Sequence, residues 1–105
     1  MKEVTVKELK EMMDADGDFQ LVDVREQNEF DYANIGGELK PMSRLQDFID
    51  EFDRSKKVIV HCRSGKRSAD VIRLLESQHG FNNLYNLIGG ILAWSDEIDP
   101  EIPKY

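Results

Sequence analysis

The sequence predicts an α/β domain built on a mostly parallel sheet. Short apolar and β-branched runs alternate with segments whose apolar residues recur at helical spacing, the pattern of strand–helix–strand units. The chain has 105 residues, 40% of them hydrophobic, which suits a single domain spanning 1–105 around one modest core. Its one cysteine, Cys62, falls where a strand is predicted to end and a helix to begin. In parallel sheets reactive groups lie beyond the carboxyl ends of strands.

Thr5-Val-Lys-Glu8 reads as a capping box: Thr5 accepts from a first-turn N–H and Glu8 reaches back. Val4 and Leu9 stand at the positions of a hydrophobic staple. Leu9, Met12 and Met13 supply the apolar stripe, and Gly17 is expected to end the helix. Phe19 to Val24 reads as a strand and Glu26 to Tyr32 as a short helix. Gly36-Gly37 marks a turn before a short strand at Leu39. Ser43-Arg-Leu-Gln46 reads as a second capping box. Leu45, Phe48, Ile49 and Phe52 follow at i, i+3, i+4 and i+7, which predicts an amphipathic helix. Val58-Ile-Val60 predicts a buried strand. A helix follows from Arg67 to His79, broadly apolar through Ala69, Val71, Ile72, Leu74 and Leu75, with Gly80 as its cap. Leu84 to Leu87 reads as a last strand, Gly89-Gly90 as a turn, and Ile91 to Ile98 as a final helix.

Composition removes several classes of function. The formal net charge of -7 argues against a nucleic-acid binder, which needs a basic face. Acids cluster at Asp14, Asp16 and Asp18 and again at Asp96, Glu97, Asp99 and Glu101, and read as solvated surface. No run is long enough to cross a bilayer, so no membrane partner is expected. The charged, amphipathic start Met1 to Glu8 does not read as a signal peptide. A lone cysteine makes neither an internal disulfide nor a Cys-rich metal site, and no histidine–carboxylate cluster suggests a metal. A reducing compartment, the cytoplasm, is the expected location.

The segment around the cysteine is Lys57-Val-Ile-Val-His-Cys-Arg-Ser-Gly-Lys-Arg-Ser68. By position alone Cys62 could be a small core hydrophobe. A core cysteine, however, has no need of three neighbouring cations, Arg63, Lys66 and Arg67. A chain that leaves a strand, curls and enters a helix can converge its N–H groups on one point, an anion nest reinforced by the helix dipole. Gly65 permits the tight curl. Each of these features favours thiolate over thiol and makes Cys62 the candidate nucleophile. On an acidic molecule the loop is a positive island that draws anions locally.

A cysteine phosphatase loop follows a Cys-x5-Arg pattern, whereas Arg67 stands five positions after Cys62 and Ser68 takes the sixth place. The shorter ring resembles the active-site loop of rhodanese (sulfurtransferase) domains. Leu21-Val-Asp-Val-Arg-Glu-Gln-Asn-Glu-Phe30 is similar to the family's Asp-Val-Arg-Glu segment. Tyr85-Asn-Leu-Ile-Gly-Gly-Ile-Leu-Ala-Trp94 is similar to its closing Gly-Gly-x-x-x-Trp segment. The resemblance runs from about Val4 to Pro103 and implies a five-stranded, mostly parallel sheet flanked by helices on both faces. Where family members carry a Gly-His-Ile-Pro-Gly-Ala-like stretch, this chain reads Ala33-Asn-Ile-Gly-Gly-Glu38. That variant and the ending Asp96 to Tyr105 look like the domains at the C-terminus of adenylyltransferases that activate ubiquitin-like sulfur carriers for molybdopterin or thiamine synthesis.

The resemblance implies a sulfurtransferase that passes sulfane sulfur through a Cys62 persulfide, with no cofactor. The loop Arg63, Ser64, Gly65, Lys66, Arg67 and Ser68 is expected to bind the donor or the developing anion. Thiosulfate is the expected small donor, and a cysteine desulfurase or a ubiquitin-like sulfur carrier the expected protein partner. The alternative from a different class is a persulfide carrier or partner-binding module without turnover. Asp23 and Arg25, at a strand end, either shape the loop or form a structural ion pair. His61 is expected to point away from Cys62 because strand neighbours face opposite sides. His79 reads as a dipole cap, Trp94 as core, and Ser68 as either a helix cap or a donor to sulfur.

Overall fold

The computed structural model describes all residues, 1–105. The chain runs β1 (Glu3–Val4), α1 (Val6–Asp14), β2 (Phe19–Asp23), α2 (Gln27–Tyr32), β3 (Glu38–Leu39), two 3-10 turns (Met42–Asp47 and Ile49–Glu51), β4 (Lys57–His61), α3 (Lys66–His79), β5 (Leu84–Leu87) and α4 (Gly90–Glu97). The five strands form one sheet in the order β1-β5-β4-β2-β3, every pair parallel. The central strand β4 is flanked by β2 and β5, with Asp23 opposite His61 and Val60 opposite both Val22 and Asn86.

Alternation along the strands divides the interior into two cores. Val22, Val24, Val58, Val60, Cys62 and Leu84 face Val71, Ile72 and Leu75 of α3, together with Leu45, Ile49, Phe52 and Phe81. Ile59 and Leu87 face the other way, against Val6 and Leu9 of α1 and Ile91 and Trp94 of α4. Helices therefore cover both faces. Trp94 is a core residue of the second layer.

The first helix starts as its sequence predicts. The Glu8 N–H donates to Thr5 Oγ1 at 3.1 Å, and the Thr5 N–H donates to Glu8 Oε1 at 2.9 Å. Its end differs from expectation. The left-handed position is Asp16 (φ 53°), and the Gly17 N–H donates to the Met12 carbonyl at 2.9 Å. Strand β1 has no counterpart in the local pattern, since it is two residues defined by pairing to β5.

The amphipathic helix expected after Ser43 is replaced by the two 3-10 turns, and the second capping box does not form. The Ser43 hydroxyl donates to Glu26 Oε1 at 2.5 Å and its N–H to Glu26 Oε2 at 3.3 Å, so the would-be cap is engaged elsewhere. Arg44 adopts a non-helical conformation. Leu45, Ile49 and Phe52 are buried nonetheless, so the apolar spacing reports the face that meets the core rather than an α-helical backbone.

No helix is long and apolar enough to cross a membrane.

Candidate active site

Cys62 follows β4 and is 1% exposed. The chain then curls through Gly65, whose φ of 105° lies in the left-handed region, and enters α3 at Lys66. The curl turns N–H groups onto the sulfur: the Gly65 N–H donates to Cys62 Sγ at 3.1 Å and the Ser68 N–H at 3.4 Å. The first-turn amides of a helix have no intrahelical acceptor, so a sulfur anion there satisfies them and meets the positive end of the dipole.

The outer side of the loop is held by α4. The Ile91 N–H donates to the Cys62 carbonyl at 3.0 Å and the Leu92 N–H to the Arg63 carbonyl at 3.2 Å. This draws the loop carbonyls toward α4 while the amides face the sulfur. The contact requires a glycine at 90. A Cβ there would meet both the Cys62 and Arg63 carbonyl oxygens at 2.5 Å.

A buried polar pair supports the loop from β5. The Asn86 side-chain amide donates to the Gly65 carbonyl at 3.1 Å, which orients its carbonyl oxygen toward Ser68. The Ser68 hydroxyl donates to that oxygen at 2.5 Å, and its own oxygen lies 3.3 Å from Cys62 Sγ. Ser68 is thus neither simply a helix cap nor a free donor to sulfur.

The three loop cations are disposed differently. Arg67 is chelated by Glu29 of α2, Nη1 to Oε1 at 2.7 Å and Nη2 to Oε2 at 2.8 Å. The Arg67 guanidinium, with the Tyr105 hydroxyl, outweighs burial and holds the Glu29 carboxyl at about 2. The same pairing raises Arg67 above its ordinary value. Lys66 is exposed, 3.8 Å from Asp70. Arg63 is exposed with no carboxylate partner, and Ser64 is exposed beside it.

Asp23 and Arg25 lie close to this network without touching the sulfur. Both side chains are fully buried and form an ion pair, with Arg25 Nη2 donating to Asp23 Oδ2 at 2.8 Å and Nε to Oδ1 at 3.0 Å. Arg25 also donates to the Ala33 carbonyl at 2.7 Å and to the Tyr105 hydroxyl at 3.0 Å. Burial works against the charge of Arg25, but Asp23 and Tyr105 prevail and its pKa is raised. His61, on the second face of the sheet, is fully buried. Its Nε2 is 3.6 Å from Asp23 Oδ2, and neither ring nitrogen has a hydrogen-bond partner. Burial pushes its pKa down, so the ring is neutral. His79 closes α3 ahead of Gly80, and its carbonyl accepts from Arg54 at 2.7 Å.

Family-wide comparison matches residues 5–97 to the rhodanese-like domain. The chain belongs to the rhodanese-like domain family. It is 34% identical to the putative sulfurtransferase YtwF of Bacillus subtilis over 102 residues, 96% of this chain and 97% of that protein. It is 29% identical to the probable adenylyltransferase/sulfurtransferase MoeZ of Mycobacterium tuberculosis, over 97% of this chain but 26% of that protein. The longer curated relatives are thus matched over part of their length only, between 26% and 38% for two of them. Among solved structures, a rhodanese-like domain protein from Staphylococcus aureus superposes with a TM-score of 0.83 at 31% identity. That match covers 100% of this chain and 99% of the other. The resemblance to adenylyltransferase-linked members is borne out by the match to MoeZ.

Two features set this rhodanese-like domain apart from what its sequence suggested. The Ala33-to-Glu38 variant is a turn of its own: Asn34 Oδ1 accepts from the Gly36 N–H at 3.0 Å, and Gly36 has a φ of 89°, which no proline can adopt. Glu29, Asn86 and Tyr105 complete the site and were not anticipated. Asn86 left a trace, a polar residue inside the apolar run Leu84 to Leu87. Glu29 lies within the quoted Asp-Val-Arg segment, and Tyr105 left no local signal.

Proposed function

We propose that this domain is a sulfurtransferase that carries sulfane sulfur on Cys62. The observation that supports this most is the convergence of the Gly65 and Ser68 amides on Cys62 Sγ within a six-residue ring. In the first step the Cys62 thiolate attacks the outer sulfur of thiosulfate. An Sγ–S bond forms, the thiosulfate S–S bond breaks, and sulfite leaves with the electron pair. In the second step a thiophilic acceptor, cyanide in an assay or a thiol in a cell, attacks the outer sulfur and Cys62 thiolate departs. This is two-step covalent catalysis with ping-pong kinetics. The amides, fixed before reaction, stabilise sulfur anion at no reorganisation cost. Arg63, lacking a carboxylate partner, is suited to the anionic part of the donor. Relatives named as adenylyltransferase/sulfurtransferases and as a putative sulfur carrier protein support a sulfur-carrier protein as the physiological acceptor, and a cysteine desulfurase is the proposed protein donor.

The test is intact mass spectrometry under non-reducing conditions after exposure to thiosulfate. Wild type gains one sulfur atom, cyanide removes it, and Cys62→Ala gains none. An unmodified wild type overturns the reading.

The near-complete burial of Cys62 favours a second reading, a persulfide carrier that is loaded and unloaded by partner proteins. A relative named as a putative sulfur carrier protein, YrkF of Bacillus subtilis, is consistent with it. Loading by a cysteine desulfurase with negligible thiosulfate–cyanide turnover would select this reading over the first.

A further inference from the structure

Arg63 is the one loop cation without an ion pair, since Arg67 is held by Glu29 and Lys66 lies near Asp70. Its guanidinium carbon stands 5.1 Å from the centre of the Tyr105 ring. That ring is fixed from several sides. The Tyr105 hydroxyl donates to Glu29 Oε2 at 2.7 Å and accepts from Arg25 Nη1 at 3.0 Å. The ring meets Tyr32 edge-on, centroids 6.0 Å apart at 76°. Asp23 anchors Arg25 in turn, so an unbroken chain Asp23–Arg25–Tyr105–Glu29–Arg67 leads from the buried ion pair to the first turn of α3.

An exposed arginine loses rotamer entropy when it captures an anion, because its long side chain must be held in one geometry. A fixed aromatic ring against the guanidinium restricts it beforehand, and cation–π attraction makes the restricted state favourable. On a chain with a net charge of -7, an unpaired cation next to the nucleophile is also where a small anion is drawn. We propose that Tyr105 is a positioning residue that holds Arg63 ready for the anionic group of the sulfur donor, selecting small sulfur oxyanions that carry a sulfane sulfur. The donor class rests on the sulfurtransferase reading; the selectivity for anions does not.

The experiment separates the two. Iodoacetate and iodoacetamide deliver the same carbon to Cys62 and differ in carrying a carboxylate or a neutral amide. The ratio of their alkylation rates divides out the intrinsic reactivity of the thiol. Arg63→Gln lowers the iodoacetate-to-iodoacetamide ratio by about fivefold, and Tyr105→Ala lowers it comparably. Tyr105→Phe, which keeps the ring, retains at least about half of the wild-type ratio. The double variant falls no further than Arg63→Gln alone. In thiosulfate turnover Tyr105→Ala raises KM and leaves kcat within about twofold. Should Tyr105→Ala fail to fold, Tyr105→Leu, which fills the space without a π face, takes its place and lowers the ratio equally. An unchanged ratio in the ring-less variant, or a double variant that falls by the product of the two single effects, overturns the proposal. A lowered ratio in a protein that thiosulfate fails to load upholds the positioning role and overturns the donor class. A loaded protein with an unchanged ratio does the reverse.

Discussion

The Ser68 hydroxyl donates to the side-chain oxygen of Asn86 at 2.5 Å, and this bond decides what Ser68 offers to the sulfur. A hydroxyl has one proton. With that proton on Asn86, Ser68 presents a lone pair to Cys62 Sγ, and the sulfur draws its hydrogen bonds from backbone N–H groups. Asn86 also holds the Gly65 carbonyl. Replacing it by Ala leaves the buried Ser68 hydroxyl without its acceptor, while the Gly65 carbonyl keeps its bond from the Ala69 N–H, at a cost of about 1–2 kcal/mol in urea unfolding. Ser68→Ala removes one hydrogen bond at a site that keeps its amide donor, costs about 1 kcal/mol, and retains persulfide formation by mass spectrometry.

Gly90 is the position least tolerant of a methyl group. A Cβ would meet two loop carbonyl oxygens at 2.5 Å on a residue with φ 57°. Gly90→Ala is expected to cost about 3 kcal/mol or more and to lower sulfur loading at least about tenfold, because the loop must shift. Gly36→Ala is the control: φ is 89° but nothing lies within 4 Å of a Cβ. Its cost is about 1 kcal/mol from backbone strain alone, with loading unchanged.

Glu29 gives the stability an acid-side dependence. Arg67 holds its carboxyl at about 2, below its ordinary value of 4.5. A carboxyl depressed on folding contributes stability in full above its unfolded value and loses it as pH falls toward the folded value. Wild type therefore weakens between about pH 5 and pH 2 in a way that Glu29→Gln does not. The stability difference between the two, on the order of 2 kcal/mol at pH 7 after allowance for solvent around Arg67, closes by pH 2. Urea unfolding at pH 7, 4.5 and 2.5 measures it, and parallel curves for the two proteins would contradict the assignment.

His61 works in the same direction at higher pH. Burial depresses its pKa in the folded state, so the unfolded chain takes up its proton first as pH falls. Stability drops as pH is lowered through about 6.5, the unfolded value. His61→Leu removes that slope between pH 8 and 5. Because neither ring nitrogen has a partner, the substitution costs less than about 1 kcal/mol at pH 8 and leaves sulfur loading intact. Loss of loading with retained folding would place His61 in the chemistry after all.

The parts of the fold that were legible are those encoded over a few adjacent residues. The Thr5–Glu8 box, the Val58–Val60 strand and the Gly80 cap are local, and each forms as read. Strand β1 was hidden because two residues carry no periodicity, and only β5 makes them a strand. The stretch after Ser43 misled because its competitor for hydrogen bonds, Glu26, lies seventeen residues earlier. The site divides in the same way. Cys62, Gly65 and Ser68 share one loop and were readable together. Glu29 and Tyr105 reach it from elements 76 residues apart, and no local pattern links them.

The cysteine loop is suspended between two cores. Its amides sit at the N-terminus of α3, which packs on the first face, and its carbonyls are tethered to α4, which packs on the second. The ring is therefore a keystone rather than a surface ornament. Melting either layer releases one rim and opens it. On the proposed reading, a partly unfolded form that still takes up sulfur has no structural basis, and loading of Cys62 should disappear in step with global unfolding, so that a loading assay doubles as a folding assay for the whole domain.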